Sequence, residues 1–108
     1  MKGEIWLVDL PSSNGHEQSG LRPIILFFES KANVSIIVPL TSNVQSLRFP
    51  FTLEINPSAE NGLEAISIAL AFQIRAIDKK RLIKKIGFLE EDYLSTLNNL
   101  LKKMLELD

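Results

Sequence analysis

The chain has no cysteine, which excludes disulfides, thiolate metal sites and a cysteine nucleophile. It has one histidine, fewer than a histidine-type zinc site requires. An enzyme built from this inventory is expected to work without a metal or any other cofactor. Charge bias is also missing: 12 Lys and Arg face 13 Asp and Glu, for a formal net charge of −1. Overall composition therefore does not announce a polyanionic partner. No uninterrupted apolar run approaches the roughly 18 residues that a membrane-spanning helix needs. The opening Met1-Lys2-Gly3-Glu4 carries charge at once, unlike a signal peptide. No membrane association is expected, and a cytoplasmic location is the default. What is present is ordinary for a folded protein, at 45% hydrophobic and 23% charged over 108 residues. One domain over residues 1–108, with a single core, is expected.

The first three quarters read as β. Residues 4–10 alternate loosely around Ile5, Leu7 and Val8, and residues 23–29 form the continuous apolar run of a strand buried on both faces. Residues 34–40 are β-branched and follow the turn-like Lys31-Ala32-Asn33. Residues 48–55 alternate through Phe49, Phe51, Leu53 and Ile55 and predict a half-buried strand. After the turn signals of Asn56-Pro57 and Asn61-Gly62, residues 64–77 predict a strand pair or one long bent strand. Pro39 and Pro50 each need a strand end, an edge or a bulge. A helical turn at 78–82 with Asp78 as its cap is expected. Tyr93, Leu97, Leu100, Leu101, Met104 and Leu107 then fall at helical spacing. Glu90, Glu91 and Asp92 open that helix and Lys102 and Lys103 close it, matching the helix dipole. No Ser, Thr, Asp or Asn stands just before Glu90 to cap it, so its start is placed only loosely. The fold class is α+β and mainly β: a small SH3-like antiparallel barrel with a C-terminal helix.

Chemistry concentrates in one loop, Ser12-Ser13-Asn14-Gly15-His16-Glu17-Gln18-Ser19-Gly20, closing on Leu21-Arg22-Pro23. Pro23 biases Arg22 toward an extended backbone at the foot of the loop. A guanidinium held there can clamp a phosphate through two parallel hydrogen bonds. His16 titrates near neutrality and can pass protons. A tight hairpin with two surface cations explains the same residues. Thr41 and Ser42, ending the third strand, present hydroxyls to a phosphate or simply begin a turn. Arg75, Lys79, Lys80, Arg81, Lys84 and Lys85 place six of the twelve basic residues within eleven positions. That cluster offers a salt-sensitive attraction for phosphates, or a solvated turn and helix face.

Four ordered blocks carry a resemblance. They are Gly3-Glu4-Ile5-Trp6-Leu7-Val8-Asp9-Leu10, Gly15-His16-Glu17-Gln18-Ser19-Gly20-Leu21-Arg22-Pro23, Pro39-Leu40-Thr41-Ser42, and Ser67 with Phe72-Gln73-Ile74-Arg75 through Lys80-Arg81-Leu82. Together they resemble the MazF/PemK (Kid) family of toxin endoribonucleases from residue 3 to about residue 89. The resemblance implies a catalytic pair, Arg22 and Thr41, and cleavage of single-stranded RNA by a ribose 2′-hydroxyl without metal. For proton transfer in that reaction the expected group is His16, favoured by its intrinsic pKa, or Glu17. Asn14, Glu17, Gln18, Ser42, Ser67 and Gln73 become candidate RNA-binding residues. A homodimer and a cognate antitoxin are the implied protein partners. One position departs from the pattern. Relatives keep an acidic residue before the glutamine, whereas this chain has Phe72. Its ring either stacks on a base or, the favoured expectation, continues the apolar run 68–71 into the core. The rival functions are a non-cleaving, CcdB-like gyrase inhibitor and a plain SH3-like interaction module.

Overall fold

The structure is a computed structural model that describes residues 2–10 and 20–107. Among them are seven strands: β1 (Glu4–Leu10), β2 (Gly20–Glu29), β3 (Val34–Thr41), β4 (Thr52–Ile55), β5 (Ser67–Leu70), β6 (Arg75–Asp78) and β7 (Leu82–Phe88). One helix, α1 (Glu91–Met104), follows them. All pairings are antiparallel, in the order β4-β5-β3-β2-β1-β7, with β6 beside the first half of β3. Among the described residues no ladder joins β4 to β7, so the sheet bends over a core without closing into the expected barrel. Its two edges meet through a backbone contact instead. Phe88 N–H donates to the Glu60 carbonyl (2.9 Å), in the loop that follows β4. Two glycines permit that approach. A Cβ on Gly62 (φ +70) would collide with the Ile86 carbonyl, and one on Gly87 would lie 2.5 Å from the backbone of Asn61.

The continuous apolar run of β2 does what such runs predict. Ile25 enters one core layer with Val38, Leu40 and Ile55, whereas Ile24 and Leu26 enter the other with Val8 and Ile37. Alternate side chains of a strand point to opposite faces, and here both faces are covered. Helix α1 covers the first layer. Leu97 is 0% exposed and Leu101 4%, and full burial of each stabilises by about 1.5–3 kcal/mol. The uncapped helix start proves real: the Glu90 side chain caps no helix N–H and turns instead to the 56–63 loop.

Two sequence expectations need correction, for residues 48–51 and for Lys84 and Lys85, and the alternative left open for residues 64–77 is decided. Residues 48–51 are not strand: a 3₁₀ helix spans Val44–Arg48, and Phe51 takes φ 57, so β4 starts only at Thr52. Residues 64–77 resolve into the strand pair β5 and β6, separated by a 3₁₀ turn at Ala71–Gln73. Lys84 and Lys85 lie on β7, not on a turn or helix face. β7 is an edge strand, where exposed lysines discourage pairing with other chains. Lys85 pairs there with Glu4 (3.4 Å), whose other oxygen accepts from Trp6 Nε1 (2.9 Å). Burial alone would raise the Glu4 carboxyl, but hydrogen bonds to its charged form, those of Trp6 and Lys85 among them, hold it below its ordinary value. The Asp78-capped turn falls where expected, with Asp78 Oδ1 accepting from Lys80 N–H (3.0 Å).

Candidate RNA-cleaving site

β3 builds the site because it changes partners along its length. Its first half pairs with β6 as far as Ile37↔Arg75, and its last two residues pair with β5 as Leu40↔Ala69 and Thr41↔Ile68. Pro39 falls at the switch, in neither ladder, so its missing N–H costs no bond on that edge. On the opposite edge the β2–β3 ladder runs through Leu26↔Ile37, Ile25↔Val38 and Ile24↔Pro39, then stops. Pro23 is the next residue of β2, again placed where no β3 partner is needed. Continued by two residues, that register brings Arg22 opposite Thr41. Facing residues of an antiparallel pair lie on one side of the sheet. On that extended register the two residues, far apart in the sequence, fall on the same side of the sheet.

Thr41 is 5% exposed, and its Oγ1 accepts from Asn43 N–H (3.2 Å). That bond uses a lone pair and leaves the hydroxyl hydrogen for donation, the polarity a phosphate oxygen accepts. Ser42 is exposed beside it. Arg22 is half-buried on β2, across from Val8 of β1 and two residues from the loop foot Leu10↔Gly20. Past Asn43 opens a cleft of about 390 Å³ lined by Asn43, Arg48, Phe49, Leu70, Phe72 and Gln73 among others. Gln73, one of the candidate residues, lines the cleft. Ser67 does not: it is 5% exposed within β5, and its hydroxyl donates to the Ala65 carbonyl (3.1 Å). Asn14, His16, Glu17 and Gln18 lie outside the described residues.

Phe72 is a correction. It is 37% exposed and does not enter the core. The 3₁₀ turn after Leu70 reverses the expected alternation, burying Ala71 and turning Phe72 out against Phe49. The ring centroids are 5.6 Å apart with an interplanar angle of 52°, and the Arg48 guanidinium lies 4.9 Å from the Phe49 centroid. Asn43, Arg48 and Phe49 are members of this cleft that sequence reasoning missed. The alternation of Phe49 and Phe51 suggested a strand, while Pro50 between them signalled a break. Among the described residues no group of three His, Asp or Glu side chains converges on a possible metal position.

The family model of the "PemK-like, MazF-like toxin of type II toxin-antitoxin system" matches residues 1–105. The chain belongs to this toxin family. Among relatives of this PemK/MazF-like toxin is an Endoribonuclease MazF of Staphylococcus epidermidis. It is 32% identical over 104 residues, covering 93% of this chain and 86% of the relative. Similar solved folds include MazF from Deinococcus radiodurans, with TM-score 0.78 and 22% identity over 98% of this chain and 96% of that one. Another is a mycobacterial endoribonuclease in complex with its cognate antitoxin, with TM-score 0.75 and 19% identity over 100% and 94%. The open seven-stranded sheet with its C-terminal helix is the architecture that this PemK/MazF-like chain shares with them.

Proposed function

We propose that this chain, an endoribonuclease toxin by family, cuts single-stranded RNA such as mRNA at preferred sequences without a metal ion. What supports the reading is the β2–β3 register, whose continuation by two residues would set Arg22 opposite Thr41, next to Asn43 and the open cleft that it lines. The 2′-hydroxyl of one ribose attacks the neighbouring phosphorus. The new P–O2′ bond forms as the P–O5′ bond breaks, leaving a cyclic phosphate and a 5′-hydroxyl end. Only an unconstrained strand lets the 2′-oxygen reach the in-line position, so the substrate is single-stranded.

Arg22 is a poor general base, because a guanidinium loses its proton only above a pKa of about 12. It serves as the fixed cation on the phosphorane oxygens, where charge builds in the transition state. Thr41 donates its remaining hydroxyl hydrogen to the same phosphate and orients it. His16 takes the 2′-hydroxyl proton, with Glu17 the other candidate, since an ordinary imidazole is matched to neutral pH. The toxin acts as a homodimer in the cytoplasm. A cognate antitoxin silences it by laying an acidic segment across the same cationic corner, a match of opposite charge.

The test incubates purified protein with a long mixed-sequence RNA in EDTA and maps the ends. Cuts at recurring sites with 5′-hydroxyl ends are expected. Arg22→Ala should slow cleavage by at least roughly a hundredfold, the usual loss when one transition-state charge donor is removed. Intact RNA with the unmodified protein would replace this reading with the non-cleaving, gyrase-inhibitor type of toxin.

A further inference from the structure

Two large aromatic side chains stand exposed in the cleft beside Thr41, where a folding chain would ordinarily hide them. We infer that Phe72 is the platform on which one unpaired base of the substrate stacks, with Phe49 and Arg48 holding its ring in place. The inference deepens the nuclease reading and rests on it.

Four observations carry it. Phe72 sits on a 3₁₀ turn whose ends are fixed by backbone bonds, Ala71 N–H to the Phe51 carbonyl (3.0 Å) and Ile74 N–H to the Ala71 carbonyl (3.1 Å). Its backbone is therefore held before any ligand arrives, and binding orders little more than a ring. The Phe49 contact is tilted at 52°, so it braces Phe72 without covering a ring face as parallel stacking would. Arg48 over Phe49 puts a cation beside the rings, where a strand's phosphates pass. Asn43 and Gln73 line the same cleft, and the Asn43 Oδ1 caps Gln45 N–H (3.1 Å), which fixes that amide beside the rings with its NH₂ group as a donor toward the edge of a base lying flat on Phe72. Rings flanked by a guanidinium and two amides fit a nucleobase better than an aliphatic protein segment. Asn43 also ties the cleft to the cleavage corner through its bond to Thr41, so the stacked base flanks the linkage held there.

The test separates binding from cutting. The probe is a fluorescein-labelled, mixed-sequence 2′-O-methyl oligonucleotide of about 12 nucleotides, a typical site size for single-strand binders. Its blocked 2′-oxygens prevent cleavage. Phe72→Ala should weaken its binding roughly five- to hundredfold, the usual loss for one base–aromatic stack. Phe72→Leu keeps apolar volume but no π-face and should lose as much, whereas Phe72→Trp should bind at least as tightly as the unmodified protein. The salt dependence should not change, because no phosphate contact is lost. Cut sites mapped on natural RNA should lose their preference at one position. Unaltered binding and unaltered cut sites in Phe72→Ala and Phe72→Leu would overturn the inference and assign the rings to a protein partner. That result leaves the nuclease reading standing, since cleavage by the unmodified protein and its loss in Arg22→Ala are scored separately. An unmodified protein that binds no probe and cuts no RNA would overturn both.

Discussion

Two polar corners sit where strands end in this fold, and they are built on opposite principles. At one, the loop 56–63 folds around Asn61, which is fully buried. Asn61 Oδ1 accepts from Ser58 N–H and Leu63 N–H (3.0 Å each), and Nδ2 donates to the Asn56 carbonyl (2.9 Å) and Glu90 Oε1 (3.1 Å). Ser58 Oγ donates to Glu90 Oε2 (2.8 Å) and accepts from Asn61 N–H (3.1 Å). The amide's bonds all end on the protein. At the other corner, the Thr41 hydroxyl keeps a hydrogen to give, Ser42 stands in solvent, and an open cleft begins at Asn43. A polar group bonded within the protein holds structure together, while one with capacity left over can do chemistry.

The sharpest way to break the comparison is through the glycine that lets the closed corner touch β7. Gly62→Ala adds a Cβ at positive φ against the Ile86 carbonyl, and should cost more than about 4 kcal/mol or abolish folding, as circular dichroism would reveal. Asn61→Ala leaves several buried partners unsatisfied and should destabilise by about 3 kcal/mol in urea titration. Its cleavage rate per folded molecule should stay within twofold or so of the unmodified protein. Arg22→Ala should do the reverse, destabilising less than Asn61→Ala in the same titration while cleavage falls as stated above. Thr41→Val loses an acceptor and a donor together. It should slow cleavage about tenfold, roughly 1.4 kcal/mol, with Thr41→Ser restoring most of the rate. A fully active Arg22→Ala, or a fully active Thr41→Val, would erase the distinction between the corners.

Smaller effects test the sheet between them. The folded-state pKa of Glu4 is lowered from 4.5, so its charged form contributes stability above that value, lost as pH falls through the lower folded pKa. Glu4→Gln should therefore be less stable at neutral pH, with the gap closing in acid. Ser35 is 0% exposed on β3, and among the described residues its Oγ has no hydrogen-bond partner. Ser35→Ala should thus be neutral or stabilising by up to about 1 kcal/mol in the same titration.

The sequence made the regular parts legible and left the turns of the site obscure. The runs at 4–10, 23–29 and 34–40 announced β1 to β3 because both faces of those strands are apolar. The helix was equally plain, since Leu97 and Leu101 recur at its period. Arg22 and Thr41 each stood out by their chemistry, but only family resemblance linked them: whether they face each other depends on extending the β2–β3 register, which no local spacing encodes. β7 escaped because its lysines looked like a solvated turn, and an edge strand tolerates such residues. Phe49 and Phe72 misled for one shared reason. Alternating or continuous apolar residues read as strand or core, and nothing in that pattern separates a ring kept for the interior from one held out beside a cleft.

The short turn that carries Phe72 has an evolutionary consequence. Its shape is set by buried Leu70 and Ala71 and by backbone bonds at Ala71 and Ile74, none of which involves the ring at the next position. The socket is independent of what is plugged into it. A carboxylate, an amide or an aromatic ring at position 72 can be exchanged without redesigning the scaffold, so under the stacking proposal the base preference could change while Arg22 and Thr41 stay as they are.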